Sequence, residues 1–200
     1  MEKSNTEVPF SYEEGLKTIY NMIESTRGNI GQNYRYFLLW GYLVAFACIL
    51  EFLFIRVYPV KYHYLVWPVL IGAGVVLSTV MTLWQRRTQT HKTLIDNMMT
   101  YLWGGWLVTL LLLQLFANLR NDYNLILPLT MAMYGMGVFV SGGIIKFRPL
   151  IYGGILSWVS AVISFFQPHD VQLLITTGTL VIGYIIPGYI LGGLAKQQKS

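Results

Sequence analysis

The sequence predicts an all-α integral membrane protein of six transmembrane helices, arranged as three hairpins with both termini in the cytoplasm and preceded by a short cytoplasmic amphipathic helix. Three observations carry this expectation. The chain is 54% hydrophobic and 12% charged, about half the charge fraction usual for a soluble domain. Six long apolar runs follow one another between residues 36 and 195, and Glu51 is the one acidic or basic residue well inside any of them. Runs of about 18 or more apolar residues can cross a bilayer. There the backbone must satisfy its own polar groups, which makes each run a helix. The third observation is the placement of Lys and Arg, which is lopsided at every loop pair.

Residues 1–35 read as a cytoplasmic tail, 36–195 as one membrane domain and 196–200 as a second short tail. Within the first tail, Ser11 and Glu14 form a capping-box pattern, a signature of a helix start. Leu16, Ile19, Tyr20 and Ile23 follow at helical spacing, so an amphipathic helix is expected over residues 12–26. Its charges are Glu13, Glu14, Lys17 and Glu24. It is not basic, and so lacks the electrostatic pull towards anionic lipid that surface helices use. Packing on the cytoplasmic ends of the bundle, or docking a cytoplasmic protein partner, suits it better. Gly28 and Gly31, with neighbouring Asn residues, predict a flexible joint after it. No cleavable signal peptide is expected, and the first span serves as the insertion signal.

The spans are expected over 36–57, 63–84, 98–118, 124–145, 149–166 and 171–194. With the N-terminus inside, eleven Lys and Arg residues fall in inner segments and three, Arg56, Lys61 and Arg120, in outer loops. This bias sets the orientation. It also explains the net charge of +5 without a nucleic-acid partner, because the cations sit at helix ends rather than in a patch. The lone cysteine, Cys48, rules out an intrachain disulfide.

The three outward-running helices begin alike, with Trp40-Gly41, Trp103-Gly104-Gly105 and Tyr152-Gly153-Gly154. The returning helices carry small residues four apart: Gly74 and Ser78, Gly137 and Ser141, Gly188 and Gly192. Such pairs let helices approach closely in lipid. The pattern suggests parallel repetition of a hairpin, one way in which transporters are built; membrane sequences draw on few residue types, so common usage accounts for it as well.

Glu51 is the most informative position. It lies about 9 Å inside the outer end of its helix at the helical rise per residue. A carboxylate there has to face the bundle, find a partner or take up a proton. Arg120 is the expected partner, with Gln114 and His63 as further candidates; Arg56 is on a different helical face. Helix six adds Thr176, Thr177 and Thr179 and then Pro187, where a kink is expected because proline lacks the backbone donor. Broken helices with small polar residues are where transporters bind solutes. Glu51, Gln114, Arg120, Thr176, Thr177, Thr179 and Pro187 therefore make up the candidate intramembrane polar site.

No catalytic set emerges. The spacing of His63, His169, Asp170 and Asp122, which could meet at the outer surface, matches no zinc motif. There is no HExxH, Walker loop or nucleophile elbow. No cofactor and no metal is expected. In overall look the chain resembles small multi-spanning proteins of the bacterial cytoplasmic membrane. The expected function is non-enzymatic action through protein contacts, as a sensor, regulatory or assembly subunit. Its partners are the lipid bilayer, a further copy of the chain or a cytoplasmic protein engaged through residues 12–26. The alternative is a small solute transporter or channel with a site near Glu51 and the broken sixth helix.

Overall fold

A computed structural model describes residues 12–86, 94–120 and 123–197. The described residues are all-helical, and six of the helices are long and apolar enough to cross a membrane: Tyr34–Arg56, His63–Trp84, Asn97–Ala117, Ile126–Ile145, Arg148–Phe165 and His169–Leu194. Ser11 of the capping-box pattern, Asp122 of the outer-surface group, and Lys3, Arg87, Lys92 and Lys199 of the charge count lie outside the described residues.

The first helix, α1, runs without interruption over Tyr12–Arg56. This corrects the expected joint: Gly28 and Gly31 are helical. Glycine costs about 1 kcal/mol relative to alanine inside a helix, and no proline intervenes, so helix propagating from both sides passes through. The result is one rod of 45 residues, in which residues 12–33 extend the first span by about 30 Å at the helical rise. It ends before Pro59, and a short 3-10 turn, His63–Leu65, leads into α2, Val66–Arg86. Pro68 sits in the first turn of α2, where no intrahelical donor is lost.

Helix α3 covers Leu94–Arg120 and α4 covers Ile126–Ile145. Lys146 closes α4 in the left-handed conformation, φ 57°, and Pro149 opens α5, Arg148–Phe165. The sixth span is not one regular helix. It consists of α6, His169–Leu180, a π-helical segment, Val181–Ile185, and α7, Ile186–Gln197. The expected irregularity at Pro187 is thus a widened turn just before it. Proline removes the donor that would bond the carbonyl four residues back, that of Gly183, and its ring crowds that carbonyl. A Cβ on Gly153 of α5 would stand 1.9 Å from the same carbonyl oxygen. The widened turn therefore fits only against a glycine.

α1, α4, α5 and the sixth span form the packed core, while α2 lies along α1 and α3 along α4. Buried share makes the division clear. It is 28–50% for the four core spans and 6% for each of the other two. The closest pair is α4 with α5, where Cβ atoms on Gly135 and Gly154 would meet each other's backbone oxygens at 2.9 and 2.7 Å. Hairpins are therefore not the main packing unit. The small pairs on the returning helices mostly receive bulky side chains: Gly74 takes Trp40, Gly137 takes Trp103, and Gly192 takes Tyr34. Trp40 with Gly74 and Trp103 with Gly137 share one sequence spacing, so the first two hairpins do repeat a contact. Tyr152, the counterpart in the third, is 66% exposed.

Candidate functional site

Glu51 sits on the face of α1 that packs against both α2 and α6, and its side chain is 3% exposed. Three elements reach it. The turn after α1 brings His63, whose Nδ1 is 3.0 Å from Oε1. The first turn of α2 brings Trp67, whose indole Nε1 donates to Oε2 at 2.5 Å. The first residue of α6 is His169, with Nε2 3.4 Å from Oε1. To an ionised carboxylate each ring nitrogen donates an N–H, and bonds to a charged acceptor are the stronger kind. His63 and His169 keep 34% and 30% of their side chains exposed. They stand between the buried carboxylate and the surface at this end of the bundle.

A second contact closes the same end. Arg56, in the last turn of α1, donates from Nε to Asp170 Oδ2 at 2.8 Å and from Nη2 to the same oxygen. Gln172 donates to the Asn124 carbonyl at 3.2 Å and to the Gln167 carbonyl at 2.9 Å, which ties in the start of α4. Below the carboxylate the polar groups give way to a plug of Cys48, Leu127 and Leu173 packed with Val44, Phe52 and Ile55. The cavity between α1 and α2 beside Trp67 and Ala47 holds about 10 Å³ and is apolar. That is the size of about one water molecule and too apolar to hold one. The site therefore opens towards one end only. It can bind α1, α2 and α6 together, and it can pass a proton between carboxylate and imidazole.

The expected partner Arg120 is not among the groups that reach Glu51. It is exposed at the end of α3. Gln114 is half-buried on the same helix. The reason is architectural: α3 lies along α4 and not along the α2 side of α1. His63, the further candidate, does bond to Glu51; His169 reaches the same carboxylate, while Asp170 next to it pairs with Arg56.

The threonines of helix six do not line a common cavity. Thr176 donates to the Gln172 carbonyl and contacts Met131 Sδ, Thr177 donates to the Leu173 carbonyl, and Thr179 lies on the Ile175 carbonyl and 2.8 Å from Ser160 Oγ. Pro187 is buried beyond the π segment. Trp67 was missed as a partner. Its position four residues beyond His63, on the same face of the incoming helix, is the signal that could have found it. Among the described residues no group of three or more His, Cys, Asp or Glu could hold a metal ion. Comparison with protein-family models, characterised proteins and solved structures finds no match to this chain.

Proposed function

We propose that this is a non-enzymatic, multi-pass protein of the bacterial cytoplasmic membrane, with both termini inside, that acts through protein contacts as a sensor, regulatory or assembly subunit. The observation that carries this reading is α1. One unbroken helix joins an arm, residues 12–33, that projects past the first span to the Glu51 cluster at its far end. A partner bound to the arm and a change at the cluster act on the same rigid element, so each biases the other. The apolar residues Leu16, Ile19, Tyr20 and Ile23 supply the arm's contact stripe in sequence, and its mixed charge suits a protein better than a membrane surface. The Lys and Arg bias supports the orientation.

The test is a photo-crosslinking amino acid placed at Tyr20 in native membranes. One discrete adduct, absent from a control label at Tyr152, is the expected result. It should disappear when a helix-breaking Gly28→Pro uncouples the arm, or when Glu51→Ala loosens the far end. No adduct, or an adduct indifferent to both substitutions, contradicts the reading.

The transporter alternative draws support from the buried carboxylate and the π segment, since single π turns are frequent at functional sites. Against it stand the plug below Glu51 and the threonine hydroxyls bonded within their own helix. Uptake of a solute into proteoliposomes that Glu51→Gln abolishes would favour it.

A further inference from the structure

The two ends of α2 are fastened to α1 by different chemistry. α2 has little packing of its own, with a buried share of 6%, and it lies along α1. Towards the end of α2 the joint is made of uncharged groups: Tyr36 OH and Thr82 Oγ1 are 2.9 Å apart, and the Trp40 indole donates to Ser78 at 3.0 Å. At the start of α2 the joint is ionisable. His63 and Trp67 reach Glu51 there, and His169 reaches the same carboxylate from the first turn of α6. A change of proton state therefore bears on the Glu51 end and leaves the other end as it is.

Both imidazoles converge on one atom. His63 Nδ1 and His169 Nε2 lie 3.0 and 3.4 Å from the same Oε1, while Trp67 occupies Oε2. The carboxylate is buried and both rings are part-exposed, so water meets the rings first. The other ionisable groups nearby are accounted for. On α1, Cys48 is buried one turn before Glu51, and Arg56 is paired with Asp170 of α6. Among the described residues no Lys or Arg stands within ion-pair distance of Glu51. With both rings neutral, the carboxylate has three donors but no counter-charge, and a buried charge without one is costly. One proton on either ring supplies it and makes that bond charge-assisted at both atoms. A second proton would place like charges on two rings that share one oxygen, so the pair takes up its protons one after the other.

We propose that Glu51, His63 and His169 form an acid-tightened clasp, in which one proton taken up from the outer side and shared by the two rings draws the start of α2 and the first turn of α6 onto α1. The proton enters at the ring nitrogens that do not face Glu51, Nε2 of His63 and Nδ1 of His169. An imidazole ordinarily changes charge near about pH 6.5, so the clasp works in the mildly acid range. The folded cluster favours the protonated state. The stability that it adds is therefore full below that range and is lost as pH rises through it. This deepens the sensing reading above and rests on the orientation proposed there, which puts the Glu51 end outside; α1 then carries the change towards the arm.

The experiment follows thermal unfolding of the full chain in detergent by circular dichroism at pH 6 and pH 8. The decisive variant is His63→Asn with His169→Gln. Its amides keep a neutral donor at the positions of Nδ1 and Nε2 but cannot take a proton. The Tm at pH 6 minus that at pH 8 should be about 3 °C larger in the wild type than in this variant. Glu51→Gln, which keeps an acceptor, should abolish the same difference, and it decides the matter should the double variant fail to fold. Asp170→Asn should retain the difference, because the Arg56–Asp170 pair keeps its charges across this range. A difference that is absent from the wild type, that survives in Glu51→Gln or in the double variant, or that Asp170→Asn removes overturns the proposal. A Tyr20 adduct without the pH difference would reject the clasp and leave the partner reading standing; the pH difference without an adduct would do the reverse.

Discussion

Glu51 and Tyr134 are both polar side chains held within apolar helices, and they differ in what surrounds them. Each oxygen of Glu51 has a donor: Trp67, His63 and His169 come from three separate segments. The Tyr134 hydroxyl has only the phenol of Tyr184, and the polar atoms of Thr130, Ser141 and Trp106 have no partner. The same contrast separates the two seams that repeat one sequence pattern. In the α1–α2 seam, Trp40 packs on Gly74 and donates its indole N–H to Ser78 at 3.0 Å. In the α3–α4 seam, Trp103 packs on Gly137, but Ser141, the counterpart of Ser78, stays unpaired. Buried polar groups that are fully bonded specify one arrangement, whereas unpaired ones weaken it. In one seam the serine four residues beyond the glycine bonds the tryptophan that packs there; in the other it does not.

The largest effect is expected where α5 meets the π segment that carries Tyr184. Gly153→Ala places a methyl group where the Gly183 carbonyl now lies. The expected loss is on the order of 4 kcal/mol, because backbone rather than a flexible side chain must move. Circular dichroism of thermal unfolding in detergent should show a collapse in Tm; a Tm within a few degrees of wild type counts against the packing described. Next is Glu51→Ala, which strands Trp67 and two imidazoles. A cost of roughly 3 kcal/mol is expected, at the low end for a broken buried pair because the histidines are part-exposed. Glu51→Gln keeps an acceptor and should recover much of it. Asp170→Asn should do much less, since Arg56 is exposed and solvent screens the pair. If Asp170→Asn matched Glu51→Ala, the carboxylate cluster would not be the main fastening at that end. Smallest, and opposite in sign, is Thr130→Val. Removing an unpaired hydroxyl without changing shape should leave stability unchanged or raise it by up to about 1 kcal/mol.

Much of this architecture is legible in sequence, because crossing a membrane imposes length and apolarity on each helix in turn. All six spans fall within a few residues of the expected boundaries. The partners of Glu51 were less legible. Arg120 lies towards the same end of the bundle by residue count but stands on a helix that does not pack there, and helix adjacency is a tertiary property that periodicity along one segment of sequence does not contain. His63 follows Glu51 through a short turn, which made it a candidate, while His169 is distant in sequence and is delivered by the α1–α6 contact. The joint at Gly28 and Gly31 failed for a different reason. Propensity is a weak local prior, and two glycines without a proline do not stop a helix that continues on both sides. Pro187 did signal an irregular turn, but the Gly153 contact that accommodates it becomes visible only when α5 is laid beside it.

The contrast between the two seams is tested most directly by a matched pair of substitutions, Trp40→Phe and Trp106→Phe, each unfolded thermally in detergent. Both remove an indole N–H and shrink a ring by the same amount. Trp40→Phe also deprives Ser78 of its bond, so it should cost about 1 kcal/mol more than Trp106→Phe, which removes a donor that has no acceptor. Equal losses, or a greater loss at Trp106, would show that its indole is already satisfied, as that of Trp40 is.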